Sequence, residues 1–250
     1  MKTKSFITLL LSIFLLFNFE SFAQETITDS QWQEDLKFLQ KEVHNNFPFL
    51  FKKIKQEEWD AEVEKLHNQI PNLKEHEIKV GLSRIVSMFQ YGHTQITFGT
   101  VAKYGVLPVN LYHFKDGVYI EGVQKAHQKA LGAKVLKVER MEIEKALSAV
   151  RPVVPVENDQ YFKAYGLRFL TVPTVLHAQR VIPKLSDKVT LTLEKEGNVF
   201  EYTFPTIPLK DLSRDYNLTI PNDMWLSARK NDKTPLYLKH LNEKFYYYEY

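Results

Sequence analysis

Apolar positions follow a helical period through the first part of the chain and then switch to alternation. Trp32, Leu36, Leu39 and Val43 trace one helical stripe that ends near Asn45-Asn46-Phe47-Pro48. Thr28-Asp29-Ser30 precedes it, and Ser30 with Gln33 has capping-box spacing. Trp59, Val63, Leu66 and Ile70 form a second stripe over residues 56–70, which Pro71 stops. A third, over residues 74–89, carries Ile78, Leu82, Ile85 and Phe89. Three amphipathic helices on short connections predict a small bundle, each burying its stripe against the others.

Beyond Gln90-Tyr91-Gly92-His93-Thr94 the pattern becomes alternating in Gln95-Ile96-Thr97-Phe98, which predicts a strand and a new layer. Apolar runs at 107–114 and 118–123 flank the turn Lys115-Asp116-Gly117, as a β-hairpin requires. A helical turn at 126–131, a break at Gly132, a strand at 134–138 and a helix at 142–150 follow, the helix with Ile143, Leu147 and Val150 on one face. Residues 151–187 are proline-bearing, with a helix predicted over 159–170. A second hairpin, 189–193 with 200–204, turns at Glu196-Gly197-Asn198. Residues 209–233 are polar and turn-rich, and 236–241 and 244–250 are strand candidates around Asn242-Glu243. The last run, Phe245-Tyr246-Tyr247-Tyr248-Glu249-Tyr250, has high β-propensity and no polar tail, an aggregation hazard unless something pairs with it. The economical reading is a partner strand outside this sequence. The predicted class is α+β.

Composition narrows the functions. Of 250 residues, 33 Lys and Arg face 30 Asp and Glu, a net charge of +3. Without Lys2, Lys4 and Glu20 the counts are 31 and 29, or +2, and no basic run occurs, so nothing electrostatic argues for nucleic acid. Those three residues sit in a leader-like stretch. Lys2 and Lys4 make a positive start, 6–17 is an apolar core short for a bilayer, and Ser21-Phe22-Ala23 offers a cleavage site before Gln24. This predicts a signal peptide at 1–23 and an exported, periplasmic or secreted protein, with membrane contact only through the leader. With zero Cys there is no lipobox, disulfide or thiolate site.

The order of strand, strand, turn, Gly, strand and helix resembles a bacterial PDZ domain. "ALGAKVLKVERMEIEKAL" corresponds to that family's Gly-Asp strand-and-turn segment, without the Asp and with Arg140-Met141 at the turn. With the helical region before it, Gly92-His93-Thr94 at its exit and "TPLYLKHLNEKFYYYEY" after it, the chain is similar to the N-terminal half of the C-terminal processing (tail-specific) serine peptidases. Tyr91 stands where the family often has Asp. The resemblance implies a helical N-domain at 24–94, a PDZ-like module at 95–207 with an insertion at 151–187, a linker at 208–235 and the opening strands of a peptidase domain at 236–250. It places the family's catalytic Ser and Lys beyond this sequence. What it implies here is capture of peptide or protein C-terminal tails, with the carboxylate held by the loop Tyr104, Gly105, Val106 and Leu107. A plain turn packed by Tyr104 and Leu107 is the alternative for that loop. For the whole chain the alternative is a stand-alone periplasmic adaptor without enzymatic activity.

No self-contained catalytic site is legible. Gly-x-Ser-x-Gly, GxGxxG and Walker patterns are absent. Ser227-Ala228-Arg229-Lys230 matches Ser-x-x-Lys but lacks the companion motifs. The eight His show no zinc spacing, so neither metal nor cofactor is expected, and His76-Glu77 reads as a solvated part of the third helix. His93, with Gly92 and Thr94, reads as a structural corner because a lone His has no visible catalytic partner.

Overall fold

The computed structural model describes residues 27–212 and the backbones of 217–218, 237–242 and 245–249. The leader reading, Ser227–Lys230 and most of the expected linker lie outside the described residues. Helix α1, Asp29–Asn46, is capped by Thr28. The Thr28 hydroxyl accepts the Gln31 N–H and the Gln31 side chain accepts the Thr28 N–H. The capping box thus closes two residues earlier than Ser30 and Gln33 suggested, because Thr28 holds the extended backbone a cap needs, φ −76° and ψ 160°. Ser30 instead donates to Glu34 one turn on. Helix α2 is Gln56–Gln69, relayed by a 3₁₀ turn at Ile70–Asn72 into helix α3, Glu75–Ser87.

Trp32, Leu36, Val43, Trp59, Val63, Leu66, Ile70, Ile78, Ile85 and Phe89 make the bundle core. Helix α3 is buried on its opposite side as well. Val80 belongs to the core under the sheet, and the Ser83 and Ser87 hydroxyls both donate to the Val153 carbonyl, at 3.1 and 2.9 Å. Gly81 keeps this helix close to α2, since a Cβ there would stand 2.7 Å from Leu66 Cδ1. The alternation at 95–98 does not make a strand. Phe98–Val101 is a helical turn with Ala102 N–H on the Phe98 carbonyl at 2.9 Å and the Phe98 ring edge-on to Phe169. Four alternating residues with no partner strand carry too little pairing energy to override that packing.

The sheet is antiparallel. Strands β1 (Val109–Phe114), β2 (Gly117–Val123), β3 (Lys134–Val138), β5 (Lys188–Lys195) and β6 (Asn198–Pro205) lie in the order β1-β2-β3-β5-β6. The two-residue β4 (Met141–Glu142) pairs with β3, and β7 (Asn217–Leu218), inside the expected linker, pairs with β2. Both φ values at Glu196-Gly197 are positive, 53° and 77°, the conformation a two-residue hairpin needs. The β3–β4 turn has no glycine. Glu139 takes the left-handed conformation (φ 50°), held by β5: its N–H donates to Thr190 O and its carboxylate accepts Thr190 N–H, both at 2.8 Å. Helix α4, Ile143–Val150, then packs Ile143, Ala146, Leu147 and Val150 into the sheet core.

The single helix expected at 159–170 is broken. A helical turn at Asp159–Tyr161 passes through a π turn, Phe162–Gly166, and a 3₁₀ turn, Leu167–Thr171, before Pro173 starts helix α5, Pro173–Ala178. Gly166 has no Cβ to meet the Phe162 ring, and the wider turn lets Phe162, Leu167, Phe169 and Leu170 all be buried. The terminal strands β8 (Tyr237–Asn242) and β9 (Phe245–Glu249) pair with each other. Among the described residues no helix is long and apolar enough to cross a membrane.

Because Ser83 and Ser87 share one acceptor, each should stand in for the other. Ser83→Ala and Ser87→Ala alone should each cost under about 1 kcal/mol, while the double variant should cost more than their sum, since a buried carbonyl left unpaired loses about 1–3 kcal/mol. Urea denaturation of the three variants measures the coupling, and strict additivity would contradict the shared acceptor.

Candidate functional site

The loop expected to hold a carboxylate is Tyr104-Gly105-Val106-Leu107. Tyr104 is exposed and the other three are buried. Gly105 N–H donates to Ala102 O at 2.9 Å, Val106 N–H to Ile207 O at 2.9 Å and Leu107 N–H to Thr171 O at 2.7 Å. All three amides therefore meet the chain's own carbonyls. The positive φ of Gly105 (122°) brings it against Thr206 and Ile207, where a Cβ would collide. Ile207 and Thr171, far along the sequence, are what close this loop.

Next to the loop, β1 is an edge of the sheet, paired with β2 alone among the described residues. A pocket of about 330 Å³ lies between His113 of β1 and the Glu144, Leu147 and Ser148 side of α4. Arg151, Asp159, Phe162 and Lys163 from the segment after α4 make its remaining wall. Its lining sets the apolar Leu147 and Phe162 among charged groups of both signs. Arg151 donates to Asp159 at 2.7 Å and lies 4.9 Å from the Phe162 ring centre, which leaves Lys163 as the pocket cation with no ion pair among the described residues. His113 Nδ1 is buried with no hydrogen-bond partner among the described residues. Burial first, and then the Lys163 charge, lower the His113 pKa, against a smaller opposing pull from Glu144. Such a crevice can take one apolar side chain and a neighbouring polar or charged group.

Gly92-His93-Thr94 makes a turn that Glu157 and Tyr161 hold. Gly92 N–H donates to Glu157 Oε1 at 2.7 Å, Tyr161 Oη donates to Gly92 O at 3.1 Å, and a Cβ on Gly92 would strike the Tyr161 ring. Thr94 N–H caps the turn on Tyr91 O, and His93 points outward, exposed.

His76 and Glu77 are not solvated. Both side chains are buried, 6% and 9% exposed, because α5 covers that face of α3. With His177 they form the one convergent group of metal-ligating side chains found among the described residues. Burial first, then the neighbouring His177, lowers the His76 pKa. No local spacing could have revealed this group, since His177 lies 101 positions from His76. The chain matches no protein-family model and no curated protein.

Two imidazoles outside that group set an acid limit on stability. Burial lowers the pKa of His113 and of His127, whose Nδ1 pairs with Tyr202 Oη at 3.0 Å. An unfolded imidazole takes its proton near pH 6.5, so below that pH the unfolded chain binds more protons than the folded one. Stability should be level above about pH 6.5 and fall as pH drops from there toward the folded values. Melting temperatures between pH 7.5 and 5 should show this decline, shallower in His127→Phe. A flat profile would contradict it.

Proposed function

We propose that residues 95–207 form a PDZ-like peptide-binding module, the substrate-recognition part of an exported protein similar to the tail-specific serine peptidases. The observation that carries the reading is the half-apolar pocket beside the edge strand β1, walled by α4. A peptide can add its backbone to such an edge while one side chain fills the adjoining pocket, so backbone hydrogen bonds supply affinity and the pocket supplies selection. The order of β1, β2, the 3₁₀ turn Lys125–Ala130, β3 and α4 supports the same reading.

The carboxylate partner in this proposal is Lys163 at the pocket rim rather than the amides of Gly105 to Leu107, which are engaged within the chain. An apolar C-terminal residue would enter over Leu147 and Phe162 with its carboxylate toward that ammonium, a charge-assisted contact. Cleavage is not assigned to any residue of this chain; its role is to hold tails for a catalytic Ser-Lys site located elsewhere.

Fluorescent peptides with free and amidated C-termini, titrated against the full chain, test this. Free-carboxylate peptides ending in an apolar residue should bind at micromolar strength, and amidation should weaken them about tenfold, the size of one charged hydrogen bond. Lys163→Gln should abolish the difference between the two peptide sets. Equal binding of free and amidated peptides, or none at all, would overturn the proposal.

A further inference from the structure

His76 and Glu77 stand in the first turn of α3, and His177 stands near the end of α5, so three ligand-bearing side chains meet where the helical bundle joins the layer under the sheet. His76 Nε2 and His177 Nδ1 are 2.9 Å apart, His177 Nδ1 and Glu77 Oε1 are 3.9 Å apart, and all three ligand atoms lie within 4.8 Å of one another. The exposures are 6%, 9% and 8%. Two imidazoles and a carboxylate are an expensive set to bury at a helix contact that apolar residues could fill. Glu77 is already oriented from behind, its Oε2 accepting the Lys74 N–H at 3.1 Å, which leaves Oε1 toward His177.

We propose that His76, Glu77 and His177 bind one Zn²⁺ and thereby clasp α3 to α5. Two imidazole nitrogens and one carboxylate oxygen are a donor set that zinc takes, with a water or other ligand in the fourth position. Tetrahedral zinc at its usual bond lengths holds its nitrogen and oxygen donors about 3.3 Å apart. The observed separations of 2.9 and 3.9 Å straddle that value, so small side-chain rotations complete the site. An approach exists as well. A pocket of about 360 Å³ reaches Glu77 between Leu66, Leu73, Arg84 and Arg180, with room for a bound water. Arg180 lies 3.3 Å from Glu77 Oε1 on a side chain 71% exposed, and it can swing into solvent when a dication takes its place.

The full chain, stripped with a chelator and dialysed, is titrated with Zn²⁺ by calorimetry and followed by imidazole nitrogen NMR. The expected result is one equivalent bound, ring shifts at two of the eight histidines, assigned to His76 and His177, and a raised melting temperature. His177→Gln and Glu77→Gln should each weaken binding by about 100-fold or more, as loss of a ligand exceeds the 10–100-fold loss for an outer partner. Arg180→Ala changes an exposed side chain and should bind zinc at least as tightly as the parent. The NMR titration needs no variant and so survives a His177→Gln chain that fails to fold. The proposal is overturned if no stoichiometric zinc binds, if the shifting rings belong to other histidines, or if a folded His177→Gln chain binds as tightly as the parent.

Discussion

The molecule depends on one helix being buried from two sides. Helix α3 gives Ile78 and Ile85 to the bundle and Val80, Ser83 and Ser87 to the layer beneath the sheet. A helix in that position can have no solvated stripe along most of its length, and it has little. Its two serines are tolerated because one carbonyl, that of Val153, receives both hydroxyls, and its glycine because Leu66 fills the space a side chain would take. Through α3 the bundle and the sheet share a wall, which brings residues a hundred positions apart within bonding distance.

The segment between α4 and β5 is anchored at both of its ends by that arrangement. At one end Glu157 and Tyr161 hold Gly92, and at the other Thr171 receives the Leu107 amide while α5 lies along α3. Its middle, through Phe162 and Lys163, becomes a wall of the crevice beside β1. One segment therefore engages the Leu107 amide of the loop and builds a wall of the pocket that stands beside it. The burial that fixes this segment also explains its irregular backbone. A regular helix could not turn Phe162, Leu167, Phe169 and Leu170 inward together, and the π and 3₁₀ turns do.

Much of the fold was legible from residue patterns. The three amphipathic stripes, both hairpins, the Lys134–Val138 strand and the helix after it stand where their periods put them, because each element's burial pattern is a local property of its own residues. The misses have physical causes. Thr28 and Ser30 both offer a capping hydroxyl, and backbone conformation chose between them. Four alternating residues at 95–98 imitated a strand but had no partner to pair with. The Val106 and Leu107 amides are engaged by Ile207 and Thr171, partners that no reading of the loop alone contains.

The sequence by itself determined the α+β class, the positions of the main helices and strands and the absence of any cysteine chemistry, since periodicity, turn chemistry and composition act over a few residues at a time. Tertiary structure alone decided that His76 and Glu77 are interior, that His177 meets them, that the segment between α4 and β5 walls a pocket on the edge strand, and that the loop at Gly105 is closed. Each of those depends on which surfaces of distant elements are pressed together, and burial of that kind is a property of the packed chain rather than of any stretch within it.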